Sequence, residues 1–438
     1  MSRPAPLSGF PEWLPGERIV ELEVLDTVRR VFELHGFSSL ETRAVEPLEQ
    51  LLRKGEIDKE VYVVRRLHAS DDDTDSLALH FDLTVPFARY VLENAGTLDF
   101  PFRRYQIQKA WRGERPQEGR YREFTQADID VVDVGSLAPH FEAEMPLVIA
   151  DVFARFPVGD FVIQVNNRRL ANGFYAGLGI PDIAGTLRIV DKLDKIGPDA
   201  VADLLLGAGA TRAQARACLD LAAIRSFDLR FIDEVRALGV ENPELDAGIE
   251  ALAAVIETAS AHAPGRVAAA LKVARGLDYY TGTVYETQLV GHEDWGAICS
   301  GGRYDALASD GRATYPGVGI SIGVTRILGL LLGQGLLRSS RSTSAAVLVA
   351  VTAEEDRAAS TAIATALRGN GIPCEVAPRA DRFGKQIRYA DRRGIPFVWF
   401  PGADGGQVKD IRSGEQVAAD PAVWRPPAAD LHPTITRA

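Results

Sequence analysis

Arg275-Gly276-Leu277-Asp278-Tyr279-Tyr280 places an arginine, a carboxylate and two adjacent tyrosines in one short run. It passes into Thr283-Val284-Tyr285-Glu286-Thr287, a β-like stretch in which alternate side chains face opposite sides. Such a segment can present a fixed cation and a phenolic hydroxyl to a small polar molecule. A second cluster holds Arg112, Arg115, Arg120 and Arg122, with Glu114 and Glu123 among them. A planar guanidinium can bridge two phosphate oxygens, so this cluster could hold a nucleoside triphosphate. A solvated hairpin of mixed charge is the plainer alternative. Gly317-Val318-Gly319-Ile320-Ser321-Ile322-Gly323 leads to Arg326, and its third glycine is wrongly spaced for a dinucleotide fingerprint. Its glycines serve either a closely approaching ligand or close packing of strand and helix. Phe81-Asp82-Leu83-Thr84-Val85-Pro86 reads locally as a helix start capped by Asp82 or Thr84. Arg382, Lys385, Arg388 and Arg392 recur at helical spacing on one basic face, with Arg379 and Arg393 beside it. That face suits either solvent or nucleic acid. The 7 histidines form no HxxxH or HExxH pattern, and Cys218, Cys299 and Cys374 form no CxxC pair. No protein-ligated metal is therefore expected, and the cysteine usage fits a reducing cytoplasm.

The elements that must position these residues follow from patterning. The 438 residues imply two or three domains, and 46% hydrophobic with 25% charged residues is an ordinary globular balance. A net charge of −11 excludes indiscriminate coating of nucleic acid but leaves room for a local basic patch. The N-terminus has no apolar signal-like core, and the most apolar stretch, 318–332, carries Arg326 and glycines. It reads as a buried strand entering a helix, and no membrane span is expected. Helices are predicted over 17–35 and from Thr84 toward Leu92, with a strand over 37–42. A hairpin is predicted from 61–67 and 77–83, with an acidic tip at 70–75. Antiparallel strands are expected over 102–111 and 121–132. Residues 185–262, rich in alanine and leucine, read as a helical insertion. Residues 338–344 read as a polar linker, and 426–438 as a frayed end. Between them, strands at 346–352, 374–377 and 397–400 alternate with helices at 353–368 and 382–393, a small α/β domain.

In wording and order, these segments resemble the histidyl-tRNA synthetase family of class II aminoacyl-tRNA synthetases. Trp111-Arg112-Gly113-Glu114-Arg115-Pro116 through Arg122-Glu123-Phe124-Thr125-Gln126 is similar to the family's second motif. Gly317 to Arg326 resembles the third. Arg275 to Tyr280 and Ser300-Gly301-Gly302-Arg303-Tyr304-Asp305 resemble its two histidine signatures. The resemblance runs from Gly9 to Glu415. It implies an α+β fold: a class II antiparallel-sheet catalytic domain over 1–337, a helical insertion at 185–262 and an α/β anticodon-binding domain over 345–425.

It implies ATP-dependent charging of tRNA with histidine, Mg²⁺ bound mainly through ATP phosphates, a homodimer and a cytoplasmic location. Arg112 and Arg275 would be catalytic, meeting the α-phosphate. Glu114, Arg120, Phe124 and Arg326 would hold ATP: Glu114 near the adenine amino group, Phe124 stacked on the ring, Arg326 on the γ-phosphate. Asp82, Leu83, Thr84, Arg112, Gln126, Asp130, Arg275, Tyr279 and Tyr280 would contact histidine, Asp130 suiting the ammonium and Tyr280 the imidazole. Arg382, Lys385, Arg388 and Arg392 would meet tRNA. Two departures stand out. Thr42 precedes Arg43 where the first motif usually has proline, and Asp130 stands where bacterial members commonly have glutamate. A synthetase-like regulatory subunit of ATP phosphoribosyltransferase is the main alternative. A histidine-activating paralogue outside translation is another.

Overall fold

A computed structural model describes residues 5–52, 60–68, 76–156, 158–273, 279–402 and 406–437. The chain clusters into two compact units, Met1–Pro11 with Leu25–Leu330 and Glu12–Val24 with Leu331–Ala438. The first helix, Pro15–Leu34, buries Val20, Val24, Val28, Val31 and Phe32, which recur at helical spacing. It ends at Gly36, whose φ of 75° belongs to the left-handed region that glycine enters without strain.

The larger unit is built on a nine-stranded sheet. Its order is Ser38–Ser39, Phe102–Trp111, Glu123–Val132, Gly317–Gly323, Cys299–Tyr304, Thr283–Leu289, Phe161–Asn167, Val267–Ala270 and Arg225–Ser226. Two pairings are parallel, Ser38–Ser39 with the 102–111 strand and Phe161–Asn167 with Val267–Ala270; the rest are antiparallel. The expected 37–42 strand is only these two residues long. One sheet face is covered by helices that include His140–Arg155 and Pro243–His262. The latter crosses Arg168–Gly177 at two glycines. A Cβ on Gly248 would lie 2.1 Å from the Leu170 nitrogen, and one on Gly173 would lie 2.1 Å from the Leu245 nitrogen. Between Ile183 and Val240 the chain is mostly helical, with Thr211 and Gln214 forming a reciprocal cap. The hairpin pairs Val63–Val64 with Leu77–Leu79. Its acidic tip at 70–75 lies outside the described residues.

The second unit holds a five-stranded sheet ordered Cys374–Val376, Val347–Val349, Phe397–Phe400, Gln407–Asp410 and Gln416–Ala418. The first three strands are parallel and the last two antiparallel. Alternation sends Leu348 and Val398 to the layer holding Ala390, and Val347, Val349, Phe397 and Trp399 to the layer holding Ala364 and Leu367. Helices Phe383–Arg393 and Arg357–Gly369 thus cover opposite faces.

Two expectations are corrected here. The polar stretch 338–344 is not a free linker, and the C-terminus is not frayed. Leu337–Ser339 pairs with Ile435–Arg437. Arg341 is buried, and its guanidinium donates to the Asp430 carbonyl at 2.9 Å and the Leu431 carbonyl at 3.0 Å. These carbonyls end the short helix Ala428–Leu431, so an arginine distant in sequence satisfies them.

Candidate active site

The open face of the large sheet is unusually polar. Cross-strand partners share a face, so the register defines rows. One row runs Gln106, Asp128, Ser321, Ser300, Glu286 and Gln164. The adjacent row runs Arg104, Asp130, Gly319, Gly302, Val284 and Asn166, and on the other side Gln108, Gln126 and Gly323 align. Exposure changes along the first row. Asp128 is buried, Ser321 is half-buried and Ser300 is exposed. Burial therefore increases along this row from Ser300 toward Asp128.

The deep end is acidic and aromatic. Asp130 Oδ2 pairs with Arg104 Nη2 at 2.6 Å, and the Tyr304 hydroxyl donates to Asp130 Oδ1 at 2.7 Å. Arg104 is fully buried, packs over Phe87 and donates to the Leu83 carbonyl at 3.3 Å. It thus ties the Asp82-Leu83-Thr84 segment to Asp130. Leu83, not Asp82 or Thr84, occupies the N-cap position of helix Thr84–Asn94, and Asp82 Oδ1 accepts from the Val85 amide at 3.1 Å from one residue further out. The Tyr279 and Tyr280 rings lie 4.7 Å apart, edge to face. Burial, first, and the charges of Asp130, Asp82 and Asp128 keep the Tyr280 phenol protonated. Tyr280 is thus within electrostatic reach of all three acids. Tyr279 is raised in the same direction, by burial and then by Tyr280.

The glycines of 317–323 make room for neighbouring side chains. A Cβ on Gly319 would lie 2.1 Å from Asp130 Oδ1, and one on Gly317 would lie 2.6 Å from the Tyr304 ring. A Cβ on Gly302 would meet the Tyr280 ring at 2.9 Å. Arg303 and Asp305 brace this signature from the opposite face. Arg303 bonds Glu142 at 2.7 Å and Asp305 at 3.0 Å, while Thr281 donates to Asp305 at 2.5 Å.

The other end gathers arginines. Arg112 donates from Nε to the Phe81 carbonyl at 3.0 Å, and its guanidinium lies 5.2 Å from the Phe124 ring centre. Glu114 lies 4.0 Å from Arg112 and 3.4 Å from Arg120. Arg326, at the start of helix Val324–Gly333, donates to the Trp295 carbonyl. Burial, then repulsion from Arg120, lowers the Arg326 pKa, while Glu114 and Glu286 oppose that. The loop of 112–120 and Arg326 are thus within electrostatic reach. Arg275, Gly276, Leu277 and Asp278 lie outside the described residues.

The site joins Asp82, Leu83, Gln126, Asp130, Tyr279 and Tyr280 at one end, and Arg112, Glu114, Arg120, Phe124 and Arg326 at the other. Thr84 sits half-buried at the helix start. Sequence reading passed over Asp128 and Arg104. The signal was present: Gln126, Asp128 and Asp130 alternate with Ala127, Ile129 and Val131, the strand period.

A family model described as histidyl-tRNA synthetase matches residues 9–327, and one for an anticodon binding domain matches 345–420. The chain belongs to the histidyl-tRNA synthetase family. It is 60% identical to a histidine–tRNA ligase of Micrococcus luteus, across 100% of both chains. It is 61% identical to one of Cutibacterium acnes, across 99% of both. The crystal structure of histidyl-tRNA synthetase from Nostoc sp. PCC 7120 superposes with a TM-score of 0.85 at 38% identity, covering 95% of this chain and 97% of that one. The family's class II catalytic domain and C-terminal anticodon-binding domain account for the two sheets. In the second, Gln386 is buried and exchanges hydrogen bonds with Val351, at 3.0 and 2.8 Å. It pins helix Phe383–Arg393 to its sheet with Arg382, Lys385, Arg388 and Arg392 all exposed. Lys385 pairs with Asp381 at 2.9 Å.

Proposed function

We propose that the chain is an ATP-dependent histidine–tRNA ligase that activates L-histidine as histidyl-adenylate and transfers it to the 3′ end of its tRNA. The observation that carries this is the single sheet face with an acidic, tyrosine-lined pocket at one end and three arginines at the other. In the first step the histidine carboxylate attacks the α-phosphorus of ATP and pyrophosphate leaves. In the second, a hydroxyl of the terminal adenosine attacks the acyl carbon and AMP leaves. Neither step needs a side-chain nucleophile, so catalysis is positioning and charge stabilisation. Arg112 and Arg275 would meet charge developing on the α-phosphoryl group. Arg326 would hold the leaving end, with Arg120 nearby. Phe124 and Glu114 would receive adenine. Asp82, Leu83, Thr84, Gln126 and Asp130 would bound histidine, with Tyr279 behind Tyr280. A buried Tyr280 hydroxyl left unpaired would penalise substrates lacking a ring nitrogen.

Mg²⁺ prefers oxygen ligands and retains phosphate and water, so it needs few carboxylates from the protein. Glu114 and Glu286, the acids nearest Arg326 in electrostatic effect, fit that modest demand. When bound, the ion would neutralise phosphate charge.

The regulatory-subunit reading is disfavoured by the match at 345–420 and by identity spanning the whole chain. We assign catalysis to 1–337, the helical insertion to 185–262 and tRNA reading to 345–425. No described helix is long and apolar enough to cross a membrane, which suits a cytoplasmic enzyme. A homodimer is expected through the first-motif segment. There Arg43 takes the usual proline's place and bonds Glu46, itself paired with Arg89 at 2.9 Å. A concentration-independent monomer in sedimentation would defeat the dimer. Histidine-dependent exchange of pyrophosphate into ATP, without tRNA, tests the activity. Exchange with another amino acid but not histidine would reject it.

A further inference from the structure

The loop that carries Arg112, Glu114 and Arg120 is held from outside by two segments distant in sequence. Gly9 reaches its returning arm. The Gly9 carbonyl accepts from the Arg122 amide at 2.7 Å and from the Glu123 amide at 3.1 Å. A carbonyl oxygen has two lone pairs, and here both are used. Gly9 stands in a tight turn, with the Phe10 amide bonded to the Leu7 carbonyl at 3.1 Å and its own φ at 85°. A Cβ at Gly9 would lie 2.9 Å from both Arg122 Cγ and Pro116 Cγ, so the turn is wedged against both arms of the loop. Glycine is thus required twice, by the left-handed backbone and by the close approach. Arg122 passes the constraint inward. Its carbonyl accepts from the Arg112 amide at 2.9 Å, and its Nε donates to the Glu114 carbonyl at 3.1 Å. The outgoing arm is held by Glu60, whose carbonyl accepts from the Gly113 amide at 2.7 Å. Phe10 and Tyr62 join the two holding segments, their rings edge to face with centres 6.3 Å apart.

We propose that Gly9 is a positioning residue for ATP: its turn clamps the returning arm of the 112–122 loop and so sets where Arg112 and Glu114 meet the nucleotide. This rests on the ATP-binding reading above and deepens it. Gly9 touches neither substrate. It acts through two backbone hydrogen bonds on Arg122 and Glu123, and Arg122 in turn fixes the backbone at Arg112 and Glu114. A loop that must place a guanidinium on a phosphate and a carboxylate on a base gains from such support, because a misplacement of about 1 Å costs on the order of a hundredfold. The loop's own residues supply little of it: within the loop, the turn at Gln117 and Arg120 closes only the tip. The frame must therefore come from outside, and Gly9 and Glu60 provide it on opposite arms.

The test compares the full-length protein with its Gly9→Ala and Gly265→Ala variants. Gly265 has a similar φ of 72° and nothing within 4 Å of its Cβ position, so its variant carries the backbone strain without the lost clamp. Calorimetric titration uses ATP and purine riboside triphosphate, which lacks the 6-amino group that Glu114 would receive. Gly9→Ala should weaken ATP roughly ten- to hundredfold and shrink the preference for ATP over the second triphosphate. Gly265→Ala should leave both unchanged. Hydrogen exchange at the Arg122 and Glu123 amides should speed up in Gly9→Ala alone. Unchanged ATP affinity in Gly9→Ala, even with faster exchange, overturns the proposal, as does an equal loss in Gly265→Ala. Should Gly9→Ala not fold, Phe10→Ala removes the ring contact with Tyr62, leaves the left-handed turn in place, and must show the same loss of ATP affinity and preference. The two readings fail separately. A wild-type protein that binds neither triphosphate sinks the ATP reading, whereas unchanged amide exchange in Gly9→Ala sinks the clamp.

Discussion

Asp128 makes the ligand-free protein sensitive to rising pH. Its acid is raised from 3.8 to about 7, chiefly by burial. The unfolded chain ionises near the lower value and the folded chain near the higher one. Between them the folded state holds the extra proton, so stability is greatest below the window and falls as pH rises through it. Above it the carboxylate is ionised, buried and one oxygen short of a partner. We therefore expect D128N to gain melting temperature relative to wild type on going from pH 5 to pH 8. A melting-temperature difference that is flat with pH would mean that Asp128 is ionised and paired throughout. The neighbouring acid obeys other physics. Asp130 is as deeply buried, yet its charge is answered by Arg104 within the same sheet. Removing Arg104 would strip that buried anion of the cation paired with it, the costly way to break such a pair.

The strand Gly317–Gly323 shows what an element contributes beyond its residues. It runs between the strands that carry Asp130 and Tyr304, and its glycines are gaps those side chains fill. Gly319→Ala would put a methyl 2.1 Å from Asp130 Oδ1, against a side chain already fixed by Arg104 and Tyr304. We expect a loss of roughly 1–3 kcal/mol in denaturant unfolding, typical of overpacking. Histidine affinity should fall more than ATP affinity. Gly333→Ala is the control, since nothing lies within 4 Å of its Cβ position. Equal, small effects of both changes would show that Gly319 is not pressed against Asp130.

Elements of this kind were only partly legible in the sequence. The 102–111 strand and the helix beginning at Val324 were readable because the short alternation Tyr105-Gln106-Ile107-Gln108 and a glycine-to-apolar switch are local signals. The order of the nine strands was not, because pairs such as Val131 with Val318 join distant segments. The C-terminal strand Ile435–Arg437 was missed for the same reason: its partner, Leu337–Ser339, reads alone as a polar linker. In the site, motif wording picked out Gln126 and Asp130 and skipped the acid between them, although strand period alone puts all three on one face.

At the scale of the whole molecule, net charge and local charge point opposite ways. The chain carries −11 overall, yet helix Phe383–Arg393 and its N-terminal flank expose Arg382, Lys385, Arg388 and Arg392. Gln386 and Ala390 are buried on the opposite side and fix that orientation. A polyanion contacting this face would release counterions, while the acidic remainder discourages nonspecific binding. Changing all four residues to glutamine keeps a hydrogen-bonding surface and removes the charge. Since none of them contributes to the catalytic sheet face, pyrophosphate exchange should remain at the wild-type rate. Charging at limiting tRNA should fall. The slope of log binding constant against log salt should flatten by up to about three if every side chain meets a phosphate. Lys385 already shares its charge with Asp381, so its single substitution should matter least. Unchanged charging together with an unchanged salt slope would remove tRNA from this face. It would leave the second unit without the role proposed for it, even if histidine activation by the first were fully intact.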